Sequence, residues 1–198
     1  MSRTLMIVPR MYTKSEFMKA ASHVPDDYDA RSEEFWSYVS DKLHAFRGRI
    51  VMVFVESLSK DTKEALSAVL GGEGPGFSLI SDLLEDGAKL KPTEDPILVA
   101  ETESWLQMIA RSSNATLREF LEQNLTERNH SVSDLVGRSL GEGEVALLMI
   151  DSRRKLELPK DVRVIRVLPF DPADYLNVSV IKARLRSKAT PEAADAGR

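Results

Sequence analysis

The sequence predicts an α/β fold, a mostly parallel central sheet of about four to six strands with helices on both faces. Four short apolar runs rich in β-branched residues carry the prediction: Arg3 to Pro9, Arg49 to Glu56, Glu144 to Asp151 and Asp161 to Leu168. Each is closed by polar or proline residues. Their apolar positions are nearly continuous, as in Ile50, Val51, Met52, Val53, Phe54 and Val55, which suits strands covered on both sides. Segments with three- and four-residue apolar spacing lie between them, and that alternation builds parallel sheets.

Taken in order, the first helical segment is Ser32 to Phe46, where Phe35, Trp36, Val39, Leu43 and Phe46 form one apolar stripe. Two shorter helices, Lys60 to Leu70 and Phe77 to Asp86, flank a loop of glycines from Gly71 to Gly76. That loop follows a helix rather than a strand and lacks a Gly-Lys-Ser/Thr ending, so it reads as a connector and not as a phosphate cradle. A short extended piece, Ala88 to Lys91, leads to Thr93 as an expected helix cap, with Glu94 and Asp95 in the first turn. The helix runs to Arg111 and is expected to bury Leu98, Trp105 and Ile109. A second long pattern, Thr116 to Leu140, has a candidate break near Thr126. After the last strand, Asp171 and Pro172 open a closing helix that ends near Lys188.

With 198 residues, 42% of them hydrophobic and 29% charged, the chain fits one domain over residues 1–188, followed by a small, polar, disordered tail over 189–198. A fold of this size buries roughly 70% of its unfolded surface, so its stability requires no disulfide or structural metal. There is no cysteine, which removes thiol chemistry, iron–sulfur ligation and zinc ribbons. The three histidines, His23, His44 and His130, form no metal-binding spacing. Net charge is −4 with both signs mixed along the chain, so nucleic acid is not an expected partner. No apolar run reaches the ~20 residues of a membrane span, and the expected location is the cytoplasm.

In an open α/β sheet, ligands bind beyond the carboxyl ends of the strands. The sequence places Arg10 at the end of the first strand, Glu56 and Ser57 at the second, Glu94 and Asp95 after the third, and Asp151, Arg153 and Arg154 after the fourth. On the long helix, Leu117, Leu121, Leu125, Val132 and Leu135 share an apolar sector with Arg128 in its middle. A buried guanidinium needs a carboxylate, and Glu56, Glu94 and Asp95 are the candidates, with Glu127 flanking the same face.

The segments Gly87 to Glu101 (GAKLKPTEDPILVAE) and Leu125 to Leu168 resemble a poorly characterised prokaryotic family that is distantly similar to the TraB, erythromycin-esterase and ChaN-like group of α/β proteins. The resemblance is carried by Thr93-Glu94-Asp95, by Glu127-Arg128-Asn129 and by Leu158, Pro159 and Asp161. It implies the same fold and a single site that joins Glu56, Glu94, Asp95, Glu127 and Arg128. The sequence departs from the group after the first and fourth strands. Arg10, Met11 and Tyr12, and then Asp151, Ser152, Arg153 and Arg154, stand where the group carries histidine.

Two functions follow as expectations. The first is a hydrolase-like protein, degenerate in its histidines, with Glu56, Glu94 and Glu127 as catalytic carboxylates. Arg128, Arg153 and Arg10 would hold a small polar or anionic ligand, and Asp95 and Asp151 a divalent metal. The second is a non-catalytic binding or scaffold module that forms a homo-oligomer, a homodimer being the simplest.

Overall fold

The computed structural model describes residues 2–72, 74–112 and 114–189, with side-chain surroundings given as far as residue 182. The elements in chain order are β1 (Arg3–Pro9), α1 (Lys14–Ala21), α2 (Tyr28–His44), β2 (Ile50–Val55), α3 (Lys63–Leu70), α4 (Pro75–Glu85), β3 (Lys89–Lys91), α5 (Pro96–Arg111), α6 (Ala115–Ser139), β4 (Val145–Ile150), β5 (Val162–Arg166) and α7 (Pro172–Ala189). The five strands form one all-parallel sheet in the order β3-β2-β4-β1-β5. The fold class read from the sequence is thus the one observed.

Alternation along the strands divides the apolar residues between two cores. Met6, Val8, Val53, Val55, Leu147 and Met149 face α2, α3 and α4 through Phe35, Val39, Leu66 and Ile80. Leu5, Ile7, Met52, Phe54, Leu148 and Ile150 face α6 through Val132, Val136 and Leu140. An irregularity in the β2–β4 register between Ile50 and Met52 brings both residues indoors, one on each side. The edge strand β5 is different. Arg163, Val164 and Arg166 are exposed, because only β1 pairs with it and no second layer covers it fully.

The connections decide where a ligand could enter. After β2 the chain turns to β3 through α3 and α4 on the first face. After β4 it runs the other way, past β1 to β5, and the intervening Leu156 and Leu158 pack on the second face. The connections therefore diverge at β2 and β4, and the crevice beyond their carboxyl ends is where open parallel sheets bind ligands.

Several boundaries differ from the sequence reading. Helix α1 was not anticipated, and α2 starts at Tyr28 rather than Ser32. Helix α4 begins at Pro75, with Gly74 as cap and Gly76 lying close against the Trp36 ring. Asp95, not Thr93, caps α5, because its Oδ1 accepts from the Ile97 amide at 2.7 Å. Helix α6 runs unbroken through Thr126, whose hydroxyl folds back onto the Glu122 carbonyl and leaves the helix intact. On α5, Leu98, Trp105 and Ile109 are only half-buried, against α6, and Thr102 is the residue that is buried. The tail expected from the composition, from residue 190 onward, lies outside the described residues.

Phe35 is fully buried and meets Trp36 and Phe170 edge-on at 5.1 and 5.7 Å, so it joins α2 to the segment after β5. Phe35→Ala should lower unfolding free energy by about 3–5 kcal/mol, read by urea denaturation. A loss below about 1 kcal/mol would mean that this face is not packed as described.

Candidate functional site

Beyond the carboxyl ends of β2, β3 and β4 lies a buried cluster of two glutamates and two arginines. Glu56 follows β2 directly, and its amide is held by the Met149 carbonyl at 2.8 Å. Its Oε2 accepts from the Asp151 amide at 2.8 Å and its Oε1 from Arg154 Nη1 at 2.6 Å, so one carboxylate bridges the crevice between β2 and β4. Glu94 follows β3 in a loop pinned by the Thr93 and Glu94 amides, both donating to the Leu58 carbonyl. Its Oε1 accepts from the Ser57 amide at 3.1 Å and from Arg154 Nη1 at 3.2 Å, and its Oε2 accepts a short bond from Arg128 Nε.

Arg128 enters from α6 and ends in the cluster. Its Nη1 donates to Thr102 Oγ1 at 2.7 Å and its Nη2 to Ser57 Oγ at 3.2 Å. Thr102 in turn donates to Asn124, so α5, α6 and the end of β2 meet at this guanidinium. Arg154 is oriented by Asn129 on the next position of α6. Side-chain exposure is 5% for Arg128, 1% for Glu94, 7% for Arg154 and 11% for Glu56. Two carboxylates and two guanidiniums are charge-balanced, which is the condition for burying either kind. Arg154 Nη2 is buried and meets no acceptor among the described residues.

The backbone is strained at the same place. Ser57 has a φ of 63°, an unusual conformation for a residue with a side chain, and both its amide and its hydroxyl are engaged by the cluster.

A second group lies nearer the surface. Asp151 accepts from the Tyr12 hydroxyl at 2.6 Å and from Arg153 Nε and Nη2 at 3.0 and 2.6 Å, and the Arg153 guanidinium lies over the Tyr12 ring. Burial pushes the Asp151 carboxyl upward, but the bonds from Arg153 and Tyr12 outweigh it, and it titrates below the ordinary aspartate value. The Tyr12 hydroxyl is raised, first by burial and then by its bond to Asp151.

The residues singled out by sequence therefore separate. Glu56, Glu94 and Arg128 come together, and Asp151 with Arg153 sits beside them. Glu127 does not join them. It is exposed on the outer face of α6, because one residue along a helix turns the side chain by about 100°. Arg10 is held by Glu16 at 2.8 Å, in the capping box of α1. Asp95 is exposed and spends its carboxylate on the N-terminus of α5, while that of Asp151 is occupied by Tyr12 and Arg153, so the two share no metal site. Among the described residues no group of three or more acids or histidines is placed to hold a metal.

Sequence reasoning gave no site role to Tyr12 or Asn129, passed over Thr102 and missed the inward turn of Arg154. A signal existed for Arg154. Two buried glutamates facing Arg128 alone would carry a net negative charge, and balance required a second cation from the strand-end run. A cleft of about 550 Å³ lined by Asp27, Arg31, Phe170, Asp171, Tyr175 and Lys182 is built on α2 and α7 and shares none of the cluster's residues. Among the described residues no helix is long and apolar enough to cross a membrane. Comparison with protein-family models, curated proteins and solved structures gives no match.

The surface group sets a pH dependence. The depressed Asp151 adds stability that is complete above its unfolded value of about 3.9 and is lost as pH falls through its lower folded value. Raised Tyr12 behaves oppositely, its contribution being complete below about pH 10 and lost as pH rises beyond. In denaturation series across pH, Asp151→Asn should flatten the acid limb and Tyr12→Phe the alkaline one. Unchanged limbs would show that the two side chains are not joined as described.

Proposed function

We propose that the chain is a non-catalytic binding or scaffold module of the cytoplasm, in which the strand-end carboxylates act as a structural clamp that fixes the α5–α6 hairpin to the sheet. One observation carries this reading. Each of the four oxygens of Glu56 and Glu94 already accepts a hydrogen bond, three of them from guanidinium groups, while both side chains are buried. A general base needs a free lone pair facing its substrate, and a metal carboxylate needs the same. Here three of the four oxygens face guanidinium groups and the fourth faces the Asp151 amide. The crevice of the sheet, where a ligand would otherwise sit, is spanned by Glu56.

The clamp is tested by a double-mutant cycle. Glu94→Leu and Arg128→Leu should each cost about 3–5 kcal/mol, since each strands a buried charge. The double variant should regain most of that loss. An active site gives the opposite sign, because neutralising a catalytic carboxylate commonly leaves stability unchanged or raises it.

A second reading has its own support in Arg154 Nη2, a buried donor without an acceptor among the described residues, since such groups tend to mark a bound water, an ion or a functional role. On this reading a small polar or anionic ligand completes the cluster, with Arg154 and Arg128 holding it. A thermal-shift series with phosphate, nucleotides and divalent cations separates the two. A ligand at 100-fold its dissociation constant adds about 2.7 kcal/mol, and that shift should vanish in Arg154→Met. No shift with any of them favours the clamp.

A further inference from the structure

Helix α5 turns one face to α6 and another to solvent. On the first, Thr102 is buried and Trp105 lies against Phe120 of α6, with ring centroids 5.4 Å apart. On the second, a shallow groove of about 390 Å³ is lined by Ile97, Ala100, Glu101, Ser104 and Met108, all of them exposed. Ile97 is 67% and Met108 47% exposed, so the groove leaves apolar surface uncovered. Ile97, Glu101, Ser104, Met108 and Arg111 follow one another at steps of four, three, four and three residues. That is the spacing by which one helix lies along another.

The polar groups of this stripe say what covers it. Ser104, at its middle, folds its hydroxyl back onto the Ala100 carbonyl at 2.9 Å and so offers a small surface whose hydrogen bond is already made. Glu101 Oε2 accepts from Asn124 Nδ2 at 3.1 Å, while its Oε1 has no partner among the described residues. Arg111, in the last turn, is exposed and has no acid partner among them. The two charges are ten residues apart, about 15 Å along the axis, and cannot meet within one helix. A second α5 laid antiparallel about Ser104 brings its Met108 opposite Ala100 and its Arg111 opposite Ile97. Helical side chains lean toward their own N-terminus, so across antiparallel helices Glu101 and Arg111 of the second copy lean toward each other.

We propose that the chain forms a two-fold dimer through α5, with Ser104 on the axis and Glu101 of each copy paired to Arg111 of the other. A two-fold contact must match a surface to itself, and a stripe with an acid toward one end and a base at the other does so when antiparallel. The 16-residue helix is about 24 Å long, so the contact belongs at the small end of specific interfaces and the dimer is a weak one. The second copy is then the partner of the scaffold reading. Association reports this contact, and stability at Glu94 and Arg128 reports the clamp, so either can fail alone.

The test is sedimentation equilibrium on the full chain, with far-UV circular dichroism to confirm the fold of each variant. Wild type should show a dimer at sub-millimolar concentration that weakens with salt. Glu101→Arg and Arg111→Glu each set like charges against each other at both ends of the contact, and each should weaken the dimer about ten-fold or more. Both substitutions in one chain, or an equimolar mixture of the two single variants, should restore it, because opposite charges then face each other again. The chain has no cysteine, so Ser104→Cys should give a disulfide-linked dimer on mild oxidation, whereas Glu119→Cys, exposed on α6, should not. A wild type that stays monomeric to near-millimolar concentration, a dimer indifferent to either charge reversal, a double variant that stays dissociated, or equal cross-linking of the two cysteines would each overturn the α5 contact.

Discussion

The guanidinium of Arg128 is the point on which the arrangement turns. A cation in the middle of an apolar helix face must find a carboxylate in one place, and Glu94 supplies it from a loop whose amides are tied to Leu58. Glu94 can reach that place because Thr93 Oγ1 accepts from the Val55 amide, at the point where β2 stops pairing as a strand. Its other oxygen then takes the Ser57 amide and Arg154, and through Arg154 the charge of Glu56 is balanced too. Ends of three strands and two helices become one electrostatic unit.

What that unit adds is register rather than strength. A buried ion pair is often no more stabilising than apolar residues of the same shape. The apolar contacts of α6, at Val132, Val136 and Leu140, recur every four residues. Sliding the helix by one turn of 5.4 Å would place one apolar residue where another had been, so hydrophobic burial alone discriminates poorly between the two positions. The slipped register would leave two guanidiniums and two carboxylates buried without partners, at a cost of several kcal/mol. The ion pairs therefore select one position of α6, and with it the direction of the hairpin.

The strands were legible because a continuous apolar run leaves few alternatives, and Arg128 was legible because a charge inside an apolar stripe must be buried with a partner or break the stripe. Helix α1 was missed although Thr13 and Glu16 spell a capping box, since the segment behind them is only eight residues long and has Phe17 alone to bury. Asp95 and Glu127 were drawn toward the site by sequence adjacency to Glu94 and Arg128. Adjacency misleads in helices and their caps, where the next residue points elsewhere. Which of Arg153 and Arg154 turns inward depends on a turn after β4 that no periodic pattern encodes.

The place of the buried cluster on α6 and the exposed hairpin both follow from one length mismatch. A 25-residue helix is longer than the strands it covers, so part of it must hang free, and the fold's choice is only where to fasten it. Fastening at Arg128, near the middle, leaves the free half short and rigid, with α5 laid along it through Thr102 and Asn124. A loosely rooted hairpin would lose orientational freedom whenever it docked, at a cost in affinity. One rooted in a buried network has already lost that freedom on folding.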